Sequence, residues 1–470
     1  MERAEEPIDL LVVGGGTAGI VGAKTAAQLG ARTVLVERSR TGGDCLWTGC
    51  IPSKTLLSAA AQTAGGRDPS GGNPDFTIVR ERIAAAIASI EPADSPAALE
   101  AAGVSVISGT VRFTAPGEAF VNNTRILFRQ ALIATGSAPT IPPIPGLENA
   151  QFVTSETIWD LTELPSRLAI IGGGPIACEL GQAFARLGSQ VVILARSGIL
   201  PKEIRDAAVL VRQALKDDGV SVVEHNGADT VVSRQDGTST IHTADGGTFD
   251  ADVILTATGR SARTDELGLE NVGVTCDESG QVVVDSGMRT SNPAFWAAGD
   301  VTGHPKFTHL AGVHASTAAS NAVLGLRRAV SGTIPRVTYT SPEVASVGVT
   351  DASVPGRTTS TVQLEDTDRA ITESSTTGFA QLVIDRRGRI LGGTIVGPRA
   401  GESLAELTLA VHKKMTTREL AGVTHPYPTY NDALWNAAIA HARSGLGSAV
   451  VVLAVKALSR LARWRSDRRP

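Results

Sequence analysis

Aromatic residues and cysteines are scarce in this sequence, and what it lacks excludes several classes of protein. Only 4% of its 470 residues are aromatic, and its four cysteines are too few to make a disulfide scaffold. No apolar run reaches the roughly 20 residues that a membrane-spanning helix needs. The net charge of −4 gives no electrostatic basis for binding nucleic acid.

The N-terminal segment is acidic and leads directly into an apolar stretch. It lacks the basic and apolar regions of a signal peptide, so we expect a cytoplasmic protein. A chain of this length should divide into two to four domains. Its 50 glycines are typical of an α/β protein with many tight turns.

A glycine-rich turn follows the first predicted strand, residues 8–13, and precedes an alanine-rich helix. In this turn Gly14 permits a sharp bend, Gly16 lets the backbone approach a pyrophosphate, and Gly19 allows close helix packing. The helix N-terminus attracts the anion. Glu37, at the end of the second strand, is placed to bind a ribose hydroxyl. This pattern predicts a dinucleotide-binding βαβ unit.

A second unit of this kind begins with the predicted strand 168–171, so the chain should bind two dinucleotides. Its turn has the GxGxxA spacing at Gly172, Gly174 and Ala177. The next strand is predicted over residues 190–194, and Ala195 and Arg196 follow it, where NAD sites usually have an acidic residue. Arg196 and the nearby Lys202 favour a 2′-phosphate, and hence NADPH over NADH. In the alternative reading, Arg196 is a solvated surface residue and NADH is used.

Two cysteines, Cys45 and Cys50, lie between these units. The two thiols can meet if Cys45 begins a helix and Cys50 lies about one turn later. Such a pair can close into a disulfide or open into a dithiol. The alternatives are two ordinary buried cysteines or half of a zinc site, although zinc usually takes ligands at shorter spacing with further Cys or His partners.

The stretch around the cysteines, GGDCLWTGCIPSK at residues 42–54, resembles the redox motif of the flavoprotein pyridine nucleotide-disulfide oxidoreductases. This family includes dihydrolipoamide dehydrogenase, glutathione reductase and mercuric reductase. The resemblance covers about residues 7–446 and is closest to mercuric reductases, notably over residues 182–196. It implies an α/β fold with two Rossmann-like domains, for FAD and NAD(P), and a C-terminal α+β dimerisation domain.

The resemblance divides the chain into five segments. They are an FAD-binding domain in two parts, 1–148 with the cysteine pair and 266–334, an NAD(P)H-binding domain at 149–265, a dimerisation domain at 335–447, and a basic amphipathic tail at 448–470. In the tail, residues 449–455 are apolar and the residues after them are rich in Lys and Arg, so the tail could lie on an anionic membrane as a basic amphipathic helix. The alternative is a solvated or disordered terminus.

The resemblance also assigns roles to single residues. Lys54 and Glu179 would pair near the flavin. Besides the first glycine-rich turn and Glu37, the residues expected at FAD are Lys54, Thr135, Gly136, Gly299 and Asp300. Besides the second glycine-rich turn, those expected at NADPH are Arg196, Lys202, Gly259 and Arg260.

The C-terminal active-site motif departs from most of the family. Tyr427 stands where dihydrolipoamide and glutathione reductases have a proton-donating His, and Asp432 stands where a Glu orients that His. His425 lies two residues earlier, so either residue 425 or residue 427 could be the donor. Mercuric reductases also have Tyr here, but they carry a C-terminal cysteine pair, and this sequence has no cysteine after Cys276.

The implied activity is that of a homodimeric oxidoreductase. Electrons would pass from NADPH through FAD to Cys50, and the Cys45 thiolate would then open a small-molecule disulfide. We expect the helix N-terminus and nearby charge to lower the pKa of Cys45. The alternatives are a mercuric-ion reductase, a quinone reductase in which the dithiol is secondary, and a flavin redox sensor or complex subunit. No metal site is expected.

Overall fold

A computed structural model describes residues 6–65, 75–444 and 449–467. The predicted surface loop at 65–74 lies outside these residues, except for Gly65. The chain divides into two compact units, the first formed by Met1–Ile199 and Leu215–Ser331 and the second by Leu200–Ala214 and Gly332–Pro470.

Strands account for most of the ordered elements. They are β1 (Ile8–Val13), β2 (Thr33–Glu37), β3 (Val104–Ser108), β4 (Val111–Ala115), β5 (Glu118–Val121), β6 (Thr124–Ile133), β7 (Ser137–Pro139), β8 (Phe152–Thr154), β9 (Arg167–Ile171), β10 (Gln190–Ala195), β11 (Ser221–Glu224), β12 (Ala228–Ser233), β13 (Ser239–Thr243), β14 (Thr248–Ala251), β15 (Val253–Thr256), β16 (Arg260–Ala262), β17 (Phe295–Ala297), β18 (Pro335–Thr338), β19 (Glu343–Gly348), β20 (Arg357–Gln363), β21 (Phe379–Asp385) and β22 (Ile390–Gly397).

The α-helices connect or cover these strands. They are α1 (Thr17–Gln28), α2 (Gly43–Trp47), α3 (Cys50–Gly65), α4 (Phe76–Asp94), α5 (Pro96–Ala101), α6 (Pro175–Leu187), α7 (Arg205–Asp217), α8 (Thr308–Leu324), α9 (Asp368–Thr372), α10 (Ala400–His412), α11 (Thr417–Ala421), α12 (Asp432–Ser444) and α13 (Ala449–Ser466). None of the described helices is both long enough and apolar enough to span a bilayer.

The first unit contains two parallel nucleotide-binding sheets. In one, β3, β2, β1 and β6 are parallel neighbours, and β17 pairs with β6 in parallel. In the other, the parallel order is β11-β10-β9-β15-β8. Strands buried on both faces read as continuous apolar runs, which is why residues 8–13 and 168–171 were predictable as strands.

Two segments join the sheets, and they pair with each other as an antiparallel ribbon. This ribbon consists of β7, which follows β6, and β16, which follows β15. A separate antiparallel sheet of β12, β13 and β14 packs near the second nucleotide sheet. The ribbon is the place where the chain leaves the first sheet and returns to it.

The second unit has an antiparallel sheet in the order β18-β19-β22-β21-β20, with α10 and α12 packed on it. Its core includes Leu382, Leu404, Leu407 and Leu434, each at most 2% exposed. Burying one such side chain contributes about 1.5–3 kcal/mol. The helix predicted over residues 402–415 ends three residues earlier, at His412. Lys414 has a φ of 56°, which no helix continues through.

The cysteine segment also differs from the prediction of one turn of helix. Cys45 lies inside α2, and Cys50 begins a separate helix, α3. Thr48 and Gly49 separate the two helices. A Cβ on Gly49 would lie 2.7 Å from the carbonyl oxygen of Asp44, so only glycine fits at this break.

Candidate functional site

The cysteine pair lies at the junction of α2 and α3, and Cys50 contacts the first turn of α8. Both cysteines are half-buried thiols in this structure. The Sγ atom of Cys50 lies 3.3 Å from the hydroxyl oxygen of Thr308, the first residue of α8. The two thiols are also within hydrogen-bonding distance of each other. The predicted meeting of the two cysteines is therefore present.

The two thiols differ in acidity. The hydrogen bond from Cys45, followed by the Thr308 hydroxyl and the charge of Lys54, lowers the pKa of Cys50 to about 6 against the opposing effect of burial. The pKa of Cys45 is raised, first by its hydrogen bond to Cys50 and then by burial. The expectation of a lowered Cys45 pKa is therefore wrong for the reduced pair. The first proton leaves Cys50, and Cys45 retains the second.

The predicted pair of Lys54 and Glu179 is formed. The Nζ atom of Lys54 lies 2.7 Å from a carboxylate oxygen of Glu179. The Glu179 side chain is only 7% exposed, and it comes from α6, the helix that begins at the second glycine-rich turn. One ion pair therefore connects the cysteine helix α3 to the second nucleotide-binding sheet.

A cleft of about 320 Å³ runs from the first glycine-rich turn to the cysteines. Of the residues predicted to bind FAD, the ones that line it are Gly14, Gly16, Glu37, Thr135, Gly136, Gly299 and Asp300. Cys45 and Thr308 line the same cleft. Gly19 does not line it but packs its Cα against Gly14, as predicted, with no room for a Cβ.

The cleft fits FAD. A Cβ on Gly14, whose φ is 106°, would collide with the carbonyl oxygen of Ala134. At Gly16 a Cβ would meet only one atom, 3.7 Å away, so the backbone is open to a ligand. α1 begins directly after Gly16, which has no side chain to cap it, so its first N–H groups can bind a diphosphate. The Glu37 carboxylate lies beside this turn, 2.6 Å from the amide nitrogen of Gly15.

The second glycine-rich turn has the same construction. Gly172 has a φ of 132° and no room for a Cβ against Ala257, whereas a Cβ on Gly174, which precedes α6, would meet no described atom within 4 Å. Ala177 is fully buried. Arg196 follows β10 as an exposed residue. Lys202 belongs to the second unit.

Sequence reasoning missed a cluster of charged residues at the cleft wall, formed by Asp44, Glu156, Arg260 and Arg263. The Arg260 guanidinium donates to Asp44, to Glu156 at 3.0 Å, and to the carbonyl oxygen of Ser137 at 2.8 Å. Arg263 donates to both oxygens of Glu156, at 2.9 and 3.0 Å. Arg260, predicted at the nicotinamide, thus contacts the wall of the FAD cleft.

Of these four residues, sequence reasoning named only Arg260, which the resemblance assigned to NADPH. Glu156 and Asp44 lie 104 and 216 positions from it along the chain, and no local pattern joins them. Elsewhere, within residues 6–65, 75–444 and 449–467, no three His, Cys, Asp or Glu side chains are grouped to hold a metal ion.

In the structure, the residues of the C-terminal motif have different hydrogen-bond partners. Tyr427 is 67% exposed, and its hydroxyl donates to Asp368, which raises the pKa of the phenol. Asp432, expected to orient the residue at 427, instead accepts the Thr429 N–H at 3.0 Å, at the start of α12. It is well placed for this because it is the first residue of that helix.

The ring of His425 is held by other residues of the second unit. Its Nε2 atom lies 2.6 Å from a carboxylate oxygen of Glu406, and its ring stacks on Trp435 with centroids 4.9 Å apart. Its Nδ1 atom lies 2.9 Å from the carbonyl oxygen of Val423. Both ring nitrogens therefore have partners within the second unit.

The sequence matches the family described as pyridine nucleotide-disulphide oxidoreductase over residues 8–315, and the dimerisation domain of that family over residues 334–438. The mercuric reductase of Streptomyces lividans is 36% identical over 461 residues, which cover 92% of this chain and 96% of that protein. A dihydrolipoyl dehydrogenase of Geobacillus stearothermophilus is 34% identical over 453 residues, 92% of this chain and 95% of that protein.

Solved structures give the same result. The HOCl-induced flavoprotein disulfide reductase RclA from Escherichia coli, in its Cu(II) complex, has a TM-score of 0.84 at 26% identity, covering 92% of this chain and 99% of that one. LpdA from Mycobacterium tuberculosis has a TM-score of 0.84 at 27% identity, with the same coverage. The predicted α/β fold is thereby confirmed. The chain belongs to the pyridine nucleotide-disulphide oxidoreductase family, whose members are oxidoreductases that use FAD and NAD(P)H.

Proposed function

We propose that this oxidoreductase passes electrons from NADPH, through FAD and the Cys45–Cys50 pair, to a small-molecule disulfide. The observation that supports this most directly is the acidic Cys50 thiol, which hydrogen bonds with Cys45 and Thr308, two residues that line the FAD cleft, stabilise as thiolate. FAD, when bound, accepts a hydride from the reduced nicotinamide and transfers two electrons to a disulfide.

The two cysteines have separate tasks in this proposal. Cys45 gives up its proton to solvent and attacks one sulfur of the acceptor disulfide, which breaks the S–S bond and releases one thiolate. The Cys50 thiolate then attacks the Cys45 sulfur of the mixed disulfide. This step closes the Cys45–Cys50 bond and releases the second thiolate, which takes up a proton from solvent, so two electrons have moved from the protein to the acceptor.

Protonation of the first leaving thiolate is the step for which the second unit of the other subunit is proposed to supply a group, because the family resemblance places residue 427 across the dimer interface. Tyr427 is our candidate, because its exposed phenol keeps its proton at neutral pH. A phenol with a raised pKa is a poor base for Cys45. His425 is the weaker candidate because Glu406 and Trp435 hold its ring. We therefore expect slow turnover with lipoamide or glutathione disulfide, and faster turnover with acceptors whose leaving group needs little protonation.

Anaerobic titration of the holoenzyme with dithionite tests the proposal. The wild type should take up four electrons per FAD, two at the flavin and two at the cysteine pair. Cys45→Ser and Cys50→Ser should each take up two. Uptake of two electrons by the wild type would show that the cysteines exchange no electrons with the flavin.

A second candidate function is the reduction of mercuric ion. It is supported by the 36% identity to the Streptomyces lividans mercuric reductase and by a thiol pair of the kind that binds soft metal ions. An NADPH-oxidation screen with lipoamide, glutathione disulfide, other small disulfides, mercuric ion and quinones separates the candidates. Turnover of mercuric ion alone would favour this second function, and quinone turnover by Cys45→Ser would show that the dithiol is secondary.

We also propose that the protein works as a cytoplasmic homodimer that touches membranes through its tail. The match to the family's dimerisation domain supports the dimer. The described part of the tail is the helix α13, in which Leu453 and Leu458 are 73% and 66% exposed. Apolar side chains exposed beside basic ones favour an anionic lipid surface. The five-segment division of the chain stays a prediction.

A further inference from the structure

The Arg260 side chain contacts several residues that lie outside its own short strand, β16. Its guanidinium is only 15% exposed, and it donates to carboxylates from two distant segments, Asp44 and Glu156. Its Nε atom donates to the Ser137 hydroxyl at 2.8 Å, and that hydroxyl donates in turn to Asp300 at 2.9 Å. These contacts fix the guanidinium in one orientation.

Asp44 is the residue directly before Cys45, and both lie in the five-residue helix α2. Its carboxylate is turned toward Arg260. The other nearby cation, Arg263, approaches it only to 4.0 Å and is occupied by both oxygens of Glu156. Arg260 is therefore the main neutralising partner of the acidic residue next to the redox thiols.

We propose that Arg260 is a positioning residue that keeps the cysteine pair acidic, by neutralising Asp44 and holding its carboxylate away from the thiols. This inference rests on the proposed function of the pair as a dithiol. An unneutralised carboxylate next to Cys45 would repel negative charge on the thiol pair, because like charges repel appreciably at the effective dielectric constant of a protein surface. Without Arg260, the thiolate should form less readily.

The other charged groups around the pair do not replace this contact. On α3, Lys54 favours the Cys50 thiolate, and on α6 Glu179 pairs with that lysine. α8 contributes Thr308, which is uncharged. Asp300 lies 4.0 Å from Arg260 and accepts from Ser137. Loss of Arg260 thus leaves Asp44 with only the longer, 4.0 Å approach of Arg263.

The test measures thiol acidity in the reduced holoenzyme. Iodoacetamide alkylation is followed between pH 5 and 10, and the two cysteines are read separately by fragment mass spectrometry. Arg260→Gln should raise the apparent pKa of the more acidic thiol by about one unit, a tenfold loss of thiolate below that pKa. Arg260→Lys, which keeps the charge, should stay near the wild type.

A double variant separates electrostatics from structure. Asp44→Asn combined with Arg260→Gln removes both charges, and we expect its alkylation profile to return to that of the wild type. Arg186→Gln is the matched control, because Arg186 is also 15% exposed and paired with an aspartate, Asp218, in the same unit. It should leave the profile unchanged.

Two results would overturn the inference. One is an Arg260→Gln profile identical to that of the wild type. The other is a double variant that keeps the raised pKa, which would mean that Arg260 acts through packing alone. FAD content, measured by absorbance on every variant, shows whether the cleft is intact. Because alkylation needs no electron acceptor, this test can fail while the dithionite titration succeeds, and the reverse also holds.

Discussion

Thr308 is the residue that joins the cysteine pair to α8, through the 3.3 Å contact of its hydroxyl with Cys50. Thr308→Val keeps the shape of the side chain and removes the hydroxyl. We expect the pKa of Cys50 to rise from about 6 by roughly one unit, because the thiolate loses a hydrogen-bond donor. Thiolate absorbance at 240 nm, titrated in the reduced protein, measures this. Thr308→Ser restores the donor and should behave as the wild type.

His314 in α8 is a buried side chain without hydrogen-bond partners for either ring nitrogen among the described residues. It is 1% exposed, and the ring of His304 lies edge-on to it with centroids 4.6 Å apart. Burial, with a smaller effect from the charge of His304, lowers the pKa of His314 to about 4. The folded protein therefore holds this histidine neutral at pH values where the unfolded chain protonates it.

This difference in pKa predicts acid sensitivity. The unfolded chain binds the proton near pH 6.5 and the folded protein only near pH 4, so stability falls as the pH drops through this window and levels off below it. Between pH 7 and pH 4.5 the loss should be on the order of 2–3 kcal/mol. Urea midpoints at the two pH values, with saturating FAD, measure it. His314→Phe should lose less on acidification, and an unchanged pH dependence in this variant would count against the assignment.

Among the elements, the loop after β10 bears on the choice of nucleotide. Ala195 is buried and Arg196 is exposed, so the position where an acidic residue would bind a ribose hydroxyl instead presents a guanidinium. Arg196→Glu should lower kcat/KM for NADPH by roughly 100-fold, about 3 kcal/mol, because a charge-assisted bond becomes a repulsion.

The control for this variant is the other nucleotide. Arg196→Glu should leave kcat/KM for NADH nearly unchanged, and Arg196→Lys should keep more NADPH activity than Arg196→Glu, because it keeps the positive charge but not the planar guanidinium. Steady-state kinetics with both nucleotides on all three proteins gives the comparison. A wild-type kcat/KM for NADH equal to or better than that for NADPH would refute the assignment.

The helix α13 is the second element for which we make a prediction, and it concerns membrane binding. Lys456, Arg460 and Arg463 are spaced i, i+4 and i+7, so they share one face, and Leu458 and Leu461 lie on the opposite side. Deleting Ser448–Pro470 should abolish co-sedimentation with vesicles rich in anionic lipid and leave turnover intact. Replacing the three basic residues by Gln should weaken binding by several kcal/mol at most, since each contributes about 1 kcal/mol. Binding that neither deletion nor salt affects would contradict the proposal.

At the scale of the whole molecule, the features that depend on neighbouring residues could be predicted from the sequence, and the contacts between distant residues could not. The strands at 8–13 and 168–171 and the glycine-rich turns follow from local patterns and agree with the structure. The Lys54–Glu179 pair, 125 positions apart, was reached only through the family resemblance.

Contacts outside any motif could not be predicted. The Arg260–Asp44 pair joins residues 216 positions apart, and the partner of Tyr427 lies 59 positions away, on α9. The acidity of Cys50 depends on Thr308 in the same way. Such contacts arise where separate elements pack together, and spacing along the chain carries no signal for them.

The ribbon of β7 and β16 has a consequence for protein synthesis on the ribosome. Between these strands the chain builds the entire second nucleotide sheet, and only afterwards do β17 and residues 298–311 complete the FAD cleft. Because domains fold roughly in the order in which they emerge, the inserted sheet can form while the cleft is still missing one wall. FAD should therefore be captured late. Ribosome-bound chains that expose residues 1–265 should retain no flavin, whereas chains that expose residues 1–331 should, and flavin fluorescence on stalled complexes would show which is true.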